Sequence, residues 1–135
     1  MSAVMLRSRW TSGPAADIVG PVLVAVTAYQ ADRARDLPGI YRAGIALRRD
    51  WPDLEGAVGM WLWTRPLELR CGSVSIWRDE QALRGFVGWP EHVTIVRRYR
   101  GRGRLTSTTW NAAGFEPAAI WSEARPHLRN EAPAQ

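Results

Sequence analysis

The chain contains no lysine, one cysteine, two histidines and no apolar run as long as a membrane span. Each lack removes a class of answer. Cys71 alone cannot close an intrachain disulfide, so nothing points to an oxidising compartment, and the cytoplasm is the expected location. The longest aliphatic stretch, Val22 to Val26 with its neighbours, falls far short of the ~20 residues a spanning helix needs. The first twenty residues are broken by Arg7, Arg9, Pro14 and Asp17 and never sustain the apolar segment of a signal peptide. Neither insertion into a membrane nor secretion is expected. There is no CxxC, HExxH, GxSxG, phosphate-binding P-loop or GxGxxG after a strand. With so few soft ligands, no multi-ligand metal site is expected either.

What is present suits one folded domain. A length of 135 residues fits a single hydrophobic core, and 46% hydrophobic against 23% charged residues is the balance of a globular chain rather than a disordered one. The net charge of +5 is carried entirely by arginine. One cluster, Arg97, Arg98, Arg100, Arg102 and Arg104, has no acidic residue within it. Such a run can hold phosphates or carboxylates, but a solvated helix end complementing the helix dipole explains it more simply, and nucleic acid is a disfavoured partner.

The element order can be followed along the chain. A β-branched run from Val22 to Tyr29, entered through Gly20-Pro21, predicts a strand covered on both faces. Leu37, Ile40, Tyr41, Gly44, Leu47 and Trp51 recur at helical spacing, with Asp36 as candidate cap, and Trp51-Pro52 ends the helix. Residues 56–64 and 71–77 predict two further strands. Asp79 caps a second helix that breaks at Trp89-Pro90 and resumes through Val93 and Val96 to Gly101 or Gly103. A threonine-rich strand, Leu105 to Trp110, follows. After Glu116-Pro117 a short helical turn is expected, with a mobile tail beyond Pro126. The division is an N-terminal arm over 1–20, a domain over 21–111 and an extension over 112–135. The order βαββαβ is that of the α+β, ferredoxin-like arrangement: a four-stranded antiparallel sheet with its helices on one face.

Alternation within the strands suggests a site. Val58, Met60 and Leu62 oppose Gly59, Trp61 and Trp63, while Val74 and Ile76 oppose Ser73, Ser75 and Trp77. Read together, the two patterns put the aliphatics under the helices and leave Trp61, Trp63 and Trp77 on the bare face. A second copy of the chain would cover that face, giving a homodimer enclosing a cavity, although the segment around Trp121 could also reach over it. Trp61, Trp63, Trp77 and Trp89 could surround an apolar, planar ligand, with Ser73, Ser75, Thr106 and Thr108 offering hydrogen bonds. Packing explains buried tryptophans equally well. His92 shares a helix face with Ile95, Val96 and Tyr99; an imidazole there can move protons or ligate haem iron, or simply lie on the surface.

The stretch Ser73-Val74-Ser75-Ile76-Trp77-Arg78-Asp79-Glu80, continued by Ala82-Leu83, Phe86 and Trp89-Pro90-Glu91-His92, resembles the dimeric α/β-barrel monooxygenase superfamily (antibiotic biosynthesis monooxygenase-like), closest to its spheroidene-monooxygenase-like and DUF3291-like branch. The resemblance covers Ser73 to Trp110, and the first half by pattern only. It implies a barrel-forming homodimer and oxidation of a lipophilic or polycyclic small molecule, with haem or with no cofactor. By position, His92 becomes the acid–base residue or haem ligand, and Arg97 or Arg98 would meet a haem propionate. Trp61, Trp63, Trp77, Trp89, Ser75 and Tyr99 become the substrate wall. Cyclases, isomerases and non-catalytic binding proteins share the fold and remain alternatives.

Overall fold

The computed structural model describes residues 5–129. Two short strands, β1 (Leu6–Arg7) and β2 (Thr11–Ser12), lead into the long β3 (Val22–Ala31). Helix α1 (Leu37–Arg49) follows, then β4 (Ala57–Arg65) and β5 (Arg70–Trp77). Helices α2 (Glu80–Val87) and α3 (Pro90–Tyr99), strand β6 (Gly103–Ala112) and helix α4 (Pro117–Leu128) complete the chain. The sheet is antiparallel throughout, with β5 and β3 in the middle, β6 on one edge, and β4 edged by β1 and β2 on the other. The α+β ferredoxin-like core is therefore present, enlarged from four strands to six by the N-terminal segment.

Local chemistry sets the helix limits. Asp79 accepts a hydrogen bond from the Ala82 amide at 2.9 Å, capping α2 as its sequence position predicts. Asp36 makes no such cap at α1 and pairs instead with Arg102 at 3.6 Å. Pro90 takes the first turn of α3, where its missing N–H costs nothing, so the break at Trp89 separates two helices rather than kinking one. Gly101 (φ +85°) turns the chain out of α3 into β6, a backbone state that other residues rarely adopt.

Register corrects the reading of the two sheet faces. Directly paired residues of an antiparallel ladder point to the same side. Trp61 pairs with Val74, whereas Met60 pairs with Ser75 and Leu62 with Ser73. The two alternations therefore run out of phase with the expectation. Trp61 and Trp63 share a face with Val74 and Ile76, and Trp77 lies on the opposite, helix-covered face with Ser73, Ser75, Met60 and Leu62. A bulge between Ala57 and Gly59 adds to this by putting Val58 among the Trp61 cluster.

The face that carries Trp61 and Trp63 is not bare. In place of a short turn and a mobile tail, α4 runs as a twelve-residue helix through Pro126, because Ile120, Ala124 and Leu128 repeat every fourth residue and all bury against the sheet. Burying Ile120 and Leu128 stabilises the chain by roughly 1.5–3 kcal/mol each. Arg70, itself buried, holds the last turn by donating from Nε to the Leu128 carbonyl at 3.2 Å. The N-terminal segment covers the rest. Trp10 lies directly on Gly59, where any Cβ would collide with the indole, and packs edge-on against Trp61 at 4.6 Å. Arg7 spans the Trp121 and Trp61 rings, 4.5 and 5.3 Å from their centroids. Residues 130–135 of the expected tail lie outside the described residues.

Candidate active site

The other face of the sheet holds a cavity of about 350 Å3 between the strands and helices α1 and α3. Register fixes its floor. One row of paired residues gives Leu62, Ser73 and Thr27 across β4, β5 and β3, and a neighbouring row gives Cys71, Tyr29 and Leu105 across β5, β3 and β6. Helix α1 supplies Ile40, Tyr41, Gly44 and Leu47 as one wall. Helix α3 supplies the other through His92, Ile95, Val96 and Tyr99, residues that share one helix face by their spacing.

The inner end is closed by Trp51, Met60 and Leu62, all nearly fully buried, with Phe86 beside Trp51 at a ring separation of 5.2 Å. The Trp51 Nε1–H has no hydrogen-bond partner among the described residues, and a buried donor left unpaired costs about 1–3 kcal/mol. At the outer end are Arg100, Gly101, Gly103 and the half-exposed Leu105.

His92 sits toward the inner end, its ring 4.5 Å from that of Phe86. Its Nδ1 lies 3.1 Å from the Val87 carbonyl. A carbonyl can only accept, so Nδ1 carries the proton and Nε2 is left with its lone pair and no partner among the described residues. Burial lowers the imidazole pKa below 6.5, the Val87 contact opposing it only in part, so the ring is neutral at neutral pH. The arrangement amounts to an oriented base in an apolar cavity.

Of the side chains expected from sequence, the cavity brings together His92, Tyr99 and Ser73, whereas Thr106 and Thr108 do not line it. Trp61 and Trp63 lie on the far side of the sheet. Trp77 and Ser75 share the near face but sit behind the wall: the Trp77 indole donates to Ser75 Oγ at 2.9 Å and packs on Trp51 at 5.0 Å. Trp89 stands at the α2–α3 junction, 6.2 Å from Phe86, and does not line the space; the exposed Arg97 and Arg98 do not line it either. The residues that sequence reasoning missed are Trp51, Tyr41, Phe86 and Thr27. Arg100 enters that reasoning only within the basic run, although it continues the 92, 95, 96, 99 stripe.

Cys71 lines the same space but is not a nucleophile. Burial pushes its thiol pKa up to about 12, with Arg70 only weakly opposing. Ellman's reagent should leave it unmodified in the native protein and titrate it fully in denaturant; rapid native labelling would contradict this burial. Among the described residues, no group of three or more His, Cys, Asp and Glu side chains could hold a metal ion, and no helix is long and apolar enough to cross a membrane.

Fold and cavity together define an α+β, ferredoxin-like protein with one oriented imidazole in an apolar pocket. No protein-family model matches the sequence, and no curated protein is significantly similar to it. Solved structures are similar in fold. SnoaB from Streptomyces nogalater, a cofactor-independent oxygenase, superposes with TM-score 0.53 at 15% identity, over 73% of this chain and 99% of its own. LmHde from Listeria monocytogenes, a heme-degrading enzyme, gives 0.56 at 13%, over 79% and 71%. A dimeric ferredoxin-like protein of unknown function from Jannaschia sp. CCS1 gives 0.54 at 16%, over 66% and 97%. The chain spans about half the length of two other matches, from Lactobacillus acidophilus and Listeria monocytogenes (50% and 57% of those chains). The fold is thus the ferredoxin-like fold of proteins related to antibiotic biosynthesis monooxygenases.

Proposed function

We propose that this chain is a monooxygenase that acts, without a cofactor, on a lipophilic ring-containing molecule bound between α1, α3 and the sheet, with His92 as its base. The observation that carries the reading is the imidazole: Nδ1 is held by the Val87 carbonyl, and the unprotonated Nε2 has no partner among the described residues beside an apolar cavity. Triplet dioxygen reacts with organic molecules mainly by taking an electron from an electron-rich anion, so an enzyme without iron or flavin must make the substrate that anion. His92 would remove a proton from an activated methylene. The carbanion reduces dioxygen, one oxygen stays as a new ketone, and the other leaves as water with both methylene hydrogens. One methylene and one dioxygen are thus consumed for each ketone and each water formed. His92 first takes one of those protons and then returns it to the leaving oxygen. The similarity in fold to a cofactor-independent oxygenase is consistent with this reading.

Haem is the other cofactor option, and the residues meet it only in part. His92 Nε2 could bind a haem iron, with Val87 fixing the tautomer. The space does not suit it: about 350 Å3 lies near the lower limit of small-molecule pockets and suits two or three fused rings rather than a tetrapyrrole. Arg97 and Arg98 do not reach the cavity to meet propionates.

An oxygen electrode tests the reading with bicyclic and tricyclic aryl ketones that bear an activated methylene. Oxygen uptake matched one-to-one by product is the expected result. Deuterium exchange at the methylene without uptake would reassign the base to an isomerase or cyclase, and binding without either would leave a non-catalytic binding protein.

The homodimer is proposed at a different surface from the one the sequence suggests, since α4 and the N-terminal segment cover the sheet face a second copy would have taken. Strand β6 offers ten residues with an unpaired outer edge, exposed from Arg104 to Thr109 and without proline or acid. Such an edge pairs readily with its own copy about a two-fold axis. Light scattering should give twice the 15.2 kDa chain mass. Ser107→Lys, which sets like charges together across that axis, should give the monomer; a dimer unmoved by it would place pairing elsewhere. A cytoplasmic location is proposed on the lone reduced Cys71.

A further inference from the structure

The cavity contains one formal charge. None of its lining residues is acidic, His92 is neutral, and Arg100 at the outer end is the only cation. The neighbouring arginines are otherwise placed: Arg102 pairs with Asp36 and lies over the Tyr99 ring, while Arg97 and Arg98 are exposed and do not line the cavity. Arg100 itself makes no ion pair or hydrogen bond with any described residue. Its five donors are therefore free for a ligand.

Helix α3 also sets a spacing. His92 and Arg100 are eight residues apart, about 12 Å along a helix axis. Between them the same stripe presents only Ile95, Val96 and Tyr99 to the cavity. The opposite wall, Ile40, Tyr41, Gly44 and Leu47, is equally without charge. The site thus has a base at its inner end, two helical turns of apolar wall, and a planar cation at its mouth.

From this we infer that the ligand of this site is an amphipathic acid: a rigid two- or three-ring apolar body carrying one carboxylate, which Arg100 binds at the mouth while the far ring lies against His92. The inference rests on the proposed function for the identity of the pocket and adds the chemical class of its ligand. A guanidinium engages a carboxylate by two parallel N–H bonds, which fixes orientation as well as affinity. With the acid held at one end, the ring atom presented to His92 is set by length alone. Arg100 would then be the residue that selects which carbon reacts.

Isothermal titration of the full-length protein with biphenyl-4-carboxylate and biphenyl-4-carboxamide, alike in shape and different in charge, tests this. The carboxylate should bind at least about tenfold tighter at low salt, and the preference should shrink as ionic strength rises. Arg100→Gln should abolish the preference and leave carboxamide affinity unchanged, whereas Arg49→Gln, exposed on α1 and away from the cavity, should preserve it. Equal binding of both probes by the native protein, or a preference that survives Arg100→Gln, overturns the anion subsite while the apolar pocket stands. Failure of both probes to bind overturns the pocket reading, and this inference with it.

Discussion

The His92→Ala variant is expected to lose about 10²–10⁴-fold in kcat, the range general-base catalysis supplies, while keeping its fold. The two effects separate because His92 is half-buried and makes a single protein hydrogen bond, to the Val87 carbonyl. Losing that bond costs about 1 kcal/mol, a small fraction of the roughly 5–15 kcal/mol stability of a domain. Circular dichroism and the denaturation midpoint should therefore move little while oxygen uptake collapses. An alanine variant with native turnover would remove the imidazole from the chemistry.

Under the proposed function, the pH profile of the native protein gives the same group a second readout. Burial depresses the His92 pKa below 6.5, and the base is the neutral form. Activity should be on a plateau at neutral pH and fall as pH drops through the depressed value. Stability follows with the same sign. The unfolded imidazole binds its proton more readily than the folded one, so folding loses free energy as pH falls from about 6.5 through the lower, folded value and is unaffected above. A rate that rises on acidification would require the protonated imidazole instead.

The second large effect is structural. Ala124 has no exposed surface and sits in α4 against the cluster of Trp61, Trp63, Val74 and Ile76. Ala124→Asp places a carboxylate there with no partner, at a cost above about 3 kcal/mol. We expect a large fall in the denaturation midpoint, red-shifted tryptophan emission and binding of a hydrophobic dye as α4 lifts and the tryptophans meet water. Ser122→Asp, on the exposed side of the same helix, should change stability by no more than about 0.5 kcal/mol. If Ala124→Asp left the protein as stable as the native one, α4 would not be the cover of that face.

Local signals shorten the helix that carries Ala124 to a turn, and the reason is physical. Proline at position 126 argues against helix on local grounds, because it removes an N–H. The force that overrides it is burial of Ile120, Ala124 and Leu128 on a surface built from β3 and β5, together with Arg70 at the last carbonyls. None of those partners is near α4 in the chain.

The tryptophans carry the same lesson. Alternation tells which residues of β4 share a side and which residues of β5 do, since a strand has a period of two whatever it pairs with. It does not tell which side of one strand matches which side of the next. That phase is set by register and by the bulge at Val58, and a shift of one residue moves every side chain across the sheet. A site assembled from Trp61, Trp63 and Trp77 therefore combines residues that the sheet separates.

Short-range chemistry, by contrast, is legible in the chain alone: the βαββαβ order, the stop at Trp51-Pro52, the break at Trp89-Pro90, the Asp79 cap and the helical stripe shared by His92, Ile95, Val96 and Tyr99. That this stripe faces an apolar cavity closed by Trp51, that Arg100 alone charges its mouth, and that the opposite face lies under α4 emerge only from the folded arrangement. The division follows from range. Backbone sterics and helical spacing act within a few residues and are written locally, whereas register and cavity walls join residues far apart in the chain, whose positions exist only once the sheet has formed.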